Sequence, residues 1–218
     1  MSLQAKDLYA ALMHELKNNL GLLTLAMERI PRQTADEENQ PLDEARLMCR
    51  NVVERLRQSL LLYKATEHGL PIAIDAYSPH EFVAGMRDEA LSLAHGRVSV
   101  ETSVEADVPP IWFFDRNLVD IALNNAIHNS LAYARERIVI RAEMVDGLLA
   151  FSVIDDSPGY PAHILEAQSG DETDFGSGGT GLGLELSHMI AETHKNKGRS
   201  GELRLANVPG AAFTLLLP

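Results

Sequence analysis

The stretch "RIVIRAEMVDGLLAFSVIDDSPGYP", residues 137–161, decides how most of this chain is read. RIVIRAEMV (137–145) reads as one strand of a hairpin. Asp146-Gly147 follows, a pair that enters the left-handed region at little cost and reverses the chain in two residues. LLAFSVID is a second apolar run, and it ends in two carboxylates before Pro158-Gly159. This is a β-hairpin whose second strand delivers acids to a turn.

Outward from the hairpin, elements of both kinds are expected. IAIDA (72–76) reads as a short strand, and Ser78-Pro79-His80-Glu81 is a capping box opening a helix to about His95. RVSVETSVE (97–105) alternates as a strand, and WFFD (112–115) leads into a helix from about Asn117 to Ala134 capped by Asp115. A glycine-rich stretch, a helix from Leu184 to His194 and the strands ELRLA and AFTLLL complete the chain. Residues 69–218 are thus expected to form an α+β sandwich, a mostly antiparallel sheet covered by helices.

Residues 1–68 have a different texture. Pro31, Pro41 and the polar residues between them separate two long helical patterns, a helical hairpin. At about 100° per residue, Leu12, Leu16, Leu20, Leu23, Met27 and Ile30 fall on one stripe; Leu42, Ala45, Cys49, Val52, Leu56, Leu60 and Tyr63 make another. Two such helices cannot bury both stripes alone, so a homodimer forming a four-helix bundle is expected. Cys49, the single cysteine, sits on a stripe and reads as a buried thiol.

The 218 residues carry 31 acidic and 19 basic side chains, a net charge of −12. No Lys/Arg cluster marks a nucleic-acid or anionic-membrane footprint, and no apolar run approaches the roughly 20 residues of a membrane span. Nucleic acid and direct membrane contact are therefore not expected, and a cytoplasmic location is, whether alone or as part of a longer membrane-attached sensor.

Four motifs carry the candidate chemistry. In "ALMHELKNNLGLL" (11–23), His14 lies about 160° and Asn18 about 200° from Leu16, so both point away from the stripe, with Glu15 adjacent. Leu22 and Leu25 share that outer side, which suits a surface where another protein lands. A neutral imidazole is a competent nucleophile near pH 7, and a neighbouring carboxylate can take its second proton. In "DIALNNAIHNSLAYA" (120–134), Asn125 and Asn129, and Asn124 and His128, lie one turn apart and are expected to form an amide-rich face opposite Leu118 and Ile121; amide oxygens suit Mg²⁺. At the end of the hairpin, a carboxylate beside a glycine could accept a hydrogen bond from an exocyclic amino group such as adenine's, or the segment is a plain turn. In "GSGGTGLGLELSHMI" (176–190), five glycines in eight residues precede a helix, a backbone able to wrap phosphate at a positive helix end.

These motifs in this order resemble the kinase core of bacterial two-component sensor histidine kinases, over nearly all of residues 5–218. "HELKNNL" is similar to the family's H box, "LNNAIHNS" to its N box, and "DDSPGYP" and "GTGLGL" to its two glycine boxes. The resemblance implies a GHKL-type ATP-binding sandwich behind a dimerisation and phosphotransfer hairpin. It implies ATP and Mg²⁺ as cofactors, phosphorylation of His14 with Glu15 as acid/base neighbour, and a response-regulator receiver as partner. It also implies Asn18 as the residue orienting water in dephosphorylation, Asn125 as the Mg²⁺ ligand, and Asp155 and Gly159 at adenine. Gly179, Gly181 and Gly183 match the phosphate loop, and Asn129 lies with the nucleotide residues. The chain departs from the pattern at Ile121, His128, Ser157 and Asn19, and no Lys or Arg lies in the lid from Ala162 to Ser177. Poor direct hydrolysis and modest ATP affinity are expected from these changes. The competing reading is a phosphorelay carrier with a degenerate ATP-binding domain.

Overall fold

The computed structural model of the protein describes residues 15, 16, 23, 58, 61, 62, 65, 69–94, 96–167 and 181–218. The chain divides into two compact units, Met1–Gly69 and Leu70–Pro218. In the first unit, Glu15, Leu16, Leu23, Gln58, Leu61, Leu62 and Ala65 are helical, and Gln58, Leu62 and Ala65 are buried. His14, Asn18, Asn19, Cys49 and the turn between Pro31 and Pro41 lie outside the described residues, as does any dimer contact.

The second unit contains, in chain order, β1 (Asp75–Tyr77), α1 (Pro79–Ala94), β2 (Ser99–Val104), β3 (Trp112–Phe114), α2 (Arg116–Tyr133), β4 (Arg137–Val145), β5 (Leu148–Asp155), α3 (Ala162–Ala167), α4 (Gly181–Thr193), β6 (Lys195–Asn196), β7 (Arg199–Ser200), β8 (Glu202–Asn207) and β9 (Ala211–Leu217). Five strands form the main sheet in the order β2-β4-β5-β9-β8. Its pairings are antiparallel except β2 with β4, which are joined through β3 and α2 as a parallel neighbour requires. The β4–β5 turn is Asp146-Gly147 as read from sequence, both with positive φ (52° and 75°).

Helix α1 packs on β2 and β4, α2 on β5, and α4 on β8, β9 and α2. The strand residues of the covered face, Ile138, Ile140, Ala142, Leu149, Phe151 and Val153, are all within 1% of complete burial. Phe114 makes edge contacts with Phe82 and Phe151, ring centroids 5.3 and 5.6 Å away, and so joins β3, α1 and β5. Strand parity then fixes the site: Ile138 pairs with Asp155 and Ile140 with Val153, so Asp155 emerges on the helix-covered face at the end of β5.

The start of α2 is bound to its neighbours by one residue. Asp115 accepts from Leu118 N–H at 3.0 Å as the N-cap and from Ala73 N–H at 2.7 Å, while its own N–H donates to His194 Nε2 at 3.0 Å. His194, 1% exposed, donates from Nδ1 to the Ile190 carbonyl at 2.7 Å, which makes it a neutral imidazole. Burial lowers its pKa, only partly offset by the Ile190 carbonyl and the Asp115 charge.

Two local expectations are corrected. IAIDA is not a strand over its length: β1 begins at Asp75, because among the described residues it pairs with the three-residue β3 alone, and Ile72 and Ile74 before it are exposed. Helix α4 starts at Gly181 rather than Leu184, taking two glycines into its first turn. At the start of α1 the serine half of the capping box is present, with Ser78 Oγ accepting from Glu81 N–H at 3.4 Å.

Candidate functional site

The two adjacent acids at the end of β5 do different jobs. Asp155, 6% exposed, takes three donors: Ser130 Oγ–H at 2.7 Å on Oδ2, and the N–H groups of Ser157 at 2.9 Å and Ala211 at 3.2 Å on Oδ1. A carboxylate offers about four lone-pair sites, so about one acceptor position remains, on Oδ2. Asp156 instead turns to the α2–β4 connection and accepts from the N–H groups of Arg135 and Glu136 at 2.8–3.2 Å. Partial burial pushes its carboxyl upward, but the backbone N–H groups of Arg135, Arg137 and Glu136 outweigh that and hold it below the ordinary range.

The turn after Asp155 is built to approach closely. Ser157 closes it: its N–H binds Asp155 and its Oγ accepts from Gly159 N–H at 3.1 Å. Gly159 has φ +91°, and a Cβ there would lie 2.6 Å from the Asn207 side chain, so only glycine fits without strain. Asn207 binds both backbone groups of Tyr160, accepting its N–H at 2.7 Å and donating to its carbonyl at 3.0 Å. Burial, then the Asp155 charge, raises the Tyr160 hydroxyl pKa well above its ordinary value, so it stays protonated.

The second cluster joins α2 to α4. A Cβ on Gly183 would overlap the Asn125 carboxamide, so the bare Cα lets the first turn of α4 close on that amide. Asn125 Nδ2 is buried with no hydrogen-bond partner. A native fold seldom leaves such a donor orphaned, and its place beside a helix N-terminus fits an anionic group there. Ser187 Oγ–H donates to the Gly183 carbonyl at 2.8 Å, one turn on.

The expected amide face opposite Leu118 and Ile121 is not what the fold presents. At about 100° per residue, Asn125 falls about 20° from Leu118, on the same side of α2, and it is half-buried against α4. Asn124 faces another way, donating to Asp120 at 3.2 Å and Glu89 at 3.4 Å. Asn129 and His128 are half-buried on the next turn, and Ile121 is buried, leaving no polar group one turn before Asn125.

Helix α2 therefore unites the candidate nucleotide residues, with Asn125 against Gly183 and Ser130 on Asp155. Gly181 opens α4, and Gly179 and the lid beyond Ala167 lie outside the described residues. Glu15 is helical and half-buried in the first unit. Sequence reading missed Ser130, Asn207, Gly210 and the Ala211 N–H. A buried serine one turn after Ala126 on an apolar helix was the available signal for Ser130; Asn207 and Gly210 read only as a turn around Pro209.

A closed helix–glycine turn on a buried amide, beside a strand-end aspartate with one acceptor site left, is the arrangement that a family comparison can test. The model for "Histidine kinase-, DNA gyrase B-, and HSP90-like ATPase" matches residues 114–218, from the last residue of β3 to the C-terminal proline. The matched residues include both clusters. Beyond it, the chain is similar to sensor kinases across nearly its whole length. It is 26% identical to the signal transduction histidine-protein kinase AtoS of Escherichia coli K12 over 97% of this chain and 34% of that one. It is 29% identical to the sensor protein ChvG of Agrobacterium fabrum over 94% of this chain and 37% of that one. The chain thus spans about a third of the length of these curated relatives. Among solved structures, the Acinetobacter baumannii histidine kinase AdeS shares the fold with a TM-score of 0.65 at 18% identity, covering 94% of this chain and 96% of that one. Histidine kinase ThkA, solved in complex with the response regulator protein TrrA, superposes with a TM-score of 0.65 at 16% identity over 100% of this chain and 62% of that one.

Proposed function

We propose that this chain is the kinase core of a two-component system, which uses ATP to phosphorylate His14 and passes the phosphoryl group to an aspartate of a response-regulator receiver domain. The observation that carries the reading is the Asp155 carboxylate, fixed by three donors and left with about one acceptor position at the mouth of a turn that only Gly159 allows. That position suits the exocyclic amino group of adenine. Asn125 and the first turn of α4 would hold the triphosphate with Mg²⁺, which when bound neutralises phosphate charge and orients the transferred group. The orphaned Asn125 Nδ2–H donor and the bare Gly183 fit the anionic phosphate groups.

The transfer balances simply. A neutral imidazole nitrogen of His14 attacks the γ-phosphorus, the bond to the bridging oxygen breaks, ADP leaves with the electron pair, and Glu15 takes the ring proton. The receiver carboxylate then attacks the same phosphorus and the N–P bond breaks. We further propose domains at residues 1–68 and 69–218, a homodimer through the first, and a cytoplasmic location. Among the described residues, no helix is long and apolar enough to cross a membrane.

Buried Ile121 specifically favours a second reading, a phosphorelay carrier that no longer uses ATP, because it removes the polar group that could orient water beside Asn125. One experiment separates the two. Purified protein is incubated with γ-labelled ATP and Mg²⁺ and tested for acid-labile, base-stable phosphate that disappears in His14→Ala. Label that moves to a receiver supports the kinase; no nucleotide binding at millimolar concentration supports the carrier.

A further inference from the structure

The turn between β8 and β9, residues 207–211, lies far in sequence from every motif and grips the Asp155–Tyr160 turn at two points. At one end, Ala211 N–H donates to Asp155 Oδ1 at 3.2 Å, and Gly210 brings its Cα against the Asp155 carbonyl so closely that any side chain there would overlap it. At the other end, Asn207, the register partner of Ala211, holds both backbone groups of Tyr160 and lies under Gly159. The Val208 N–H bond to the Gly210 carbonyl at 2.8 Å keeps the two ends together.

We propose that Asn207 is a positioning residue of the nucleotide site, a role that rests on the function proposed above. Its carboxamide acts as a one-residue strand partner for Tyr160. By satisfying both the N–H and the carbonyl, it fixes Gly159 at positive φ and sets the distance between the turn and the open acceptor position of Asp155. Without it, Tyr160 has only water to bond, and the turn samples conformations in which the base can no longer meet Asp155. A site populated a fraction of the time binds in proportion to that fraction. Asn207 touches no reacting atom, so its effect falls on nucleotide recognition.

The test compares wild type, Asn207→Ala and Asn207→Asp for binding of ATP and inosine triphosphate, which lacks the exocyclic amino group, alongside the melting temperature without nucleotide. The expected result is that ATP affinity falls about five- to tenfold in Asn207→Ala while inosine triphosphate affinity falls less, so the preference for adenine narrows. A purely structural latch would lower the melting temperature and leave that preference unchanged. Should Asn207→Ala melt below the assay temperature, Asn207→Asp makes the same comparison, since it keeps the shape and the Tyr160 N–H bond but sets a carboxylate against the Tyr160 carbonyl. Wild-type protein that binds ATP, with variants of unaltered preference, overturns the role of Asn207 alone. Wild-type protein that binds neither nucleotide overturns the functional reading and this role with it.

Discussion

Replacing Gly183 by alanine sets two calculable effects against each other. Alanine in a helix is favoured over glycine by about 0.8–1 kcal/mol. Against that, the new methyl would occupy space held by the Asn125 carboxamide, at a position that is itself buried. Overpacking of this kind costs about 1–3 kcal/mol. Because the clashing atoms are the end of an Asn side chain rather than backbone, Asn125 can rotate away, which places the cost near the lower end. The net loss of stability is then about 0–2 kcal/mol, or roughly 0–8 °C in Tm for a unit of about 150 residues. The displaced amide matters far more to binding: a shift of about 1 Å in a positioned group can cost on the order of 100-fold. Gly183→Ala should therefore melt within a few degrees of wild type by circular dichroism while its Mg²⁺-dependent ATP affinity falls at least about tenfold by calorimetric titration. Gly85→Ala supplies the control. It is exposed on α1 with nothing within 4 Å of the added Cβ, so it should stabilise by about 0.5–1 kcal/mol and leave binding untouched. Unaltered nucleotide affinity in Gly183→Ala would refute the placement of Asn125 at the ligand.

Ser130→Ala removes the 2.7 Å bond to a buried carboxylate and should cost about 1.5–3 kcal/mol in chemical denaturation, with weaker ATP binding alongside. His14→Ala should abolish phosphorylation with nucleotide binding intact, whereas Asp155→Asn should weaken nucleotide binding with the oligomeric state intact by light scattering; loss of binding in His14→Ala would break the proposed division of labour. His194 gives a pH dependence. Its folded pKa lies below the unfolded value of about 6.5, so the unfolded chain binds more protons and stability rises with pH. The contribution of the neutral ring is complete above about pH 6.5 and is lost as pH falls from there towards the folded pKa. The Tm difference between wild type and His194→Gln should accordingly shrink between pH 8 and pH 5; a constant difference would show that His194 does not titrate with unfolding.

What the sequence determined by itself is whatever depends on neighbours along the chain. Two strand-like runs on either side of a turn marked β4 and β5, Asp146-Gly147 fixed their turn, and Asp115 and Ser78 capped α2 and α1, because each signal is a local backbone preference. The glycine-rich run and the strand-end acids likewise marked the candidate site before any fold was known. Tertiary structure alone decided which of two adjacent acids faces the site, since that depends on strand parity against a helix-covered face and on Ser130 arriving from α2. It put Asn125 on the apolar side of its helix and explained Gly183 by the amide it meets. It also brought Asn207 under Gly159 and limited β1 to the three residues its partner could pair. These are contacts between residues distant in sequence, whose energies arise only when packing brings the partners together, and no periodicity or propensity along the chain encodes them.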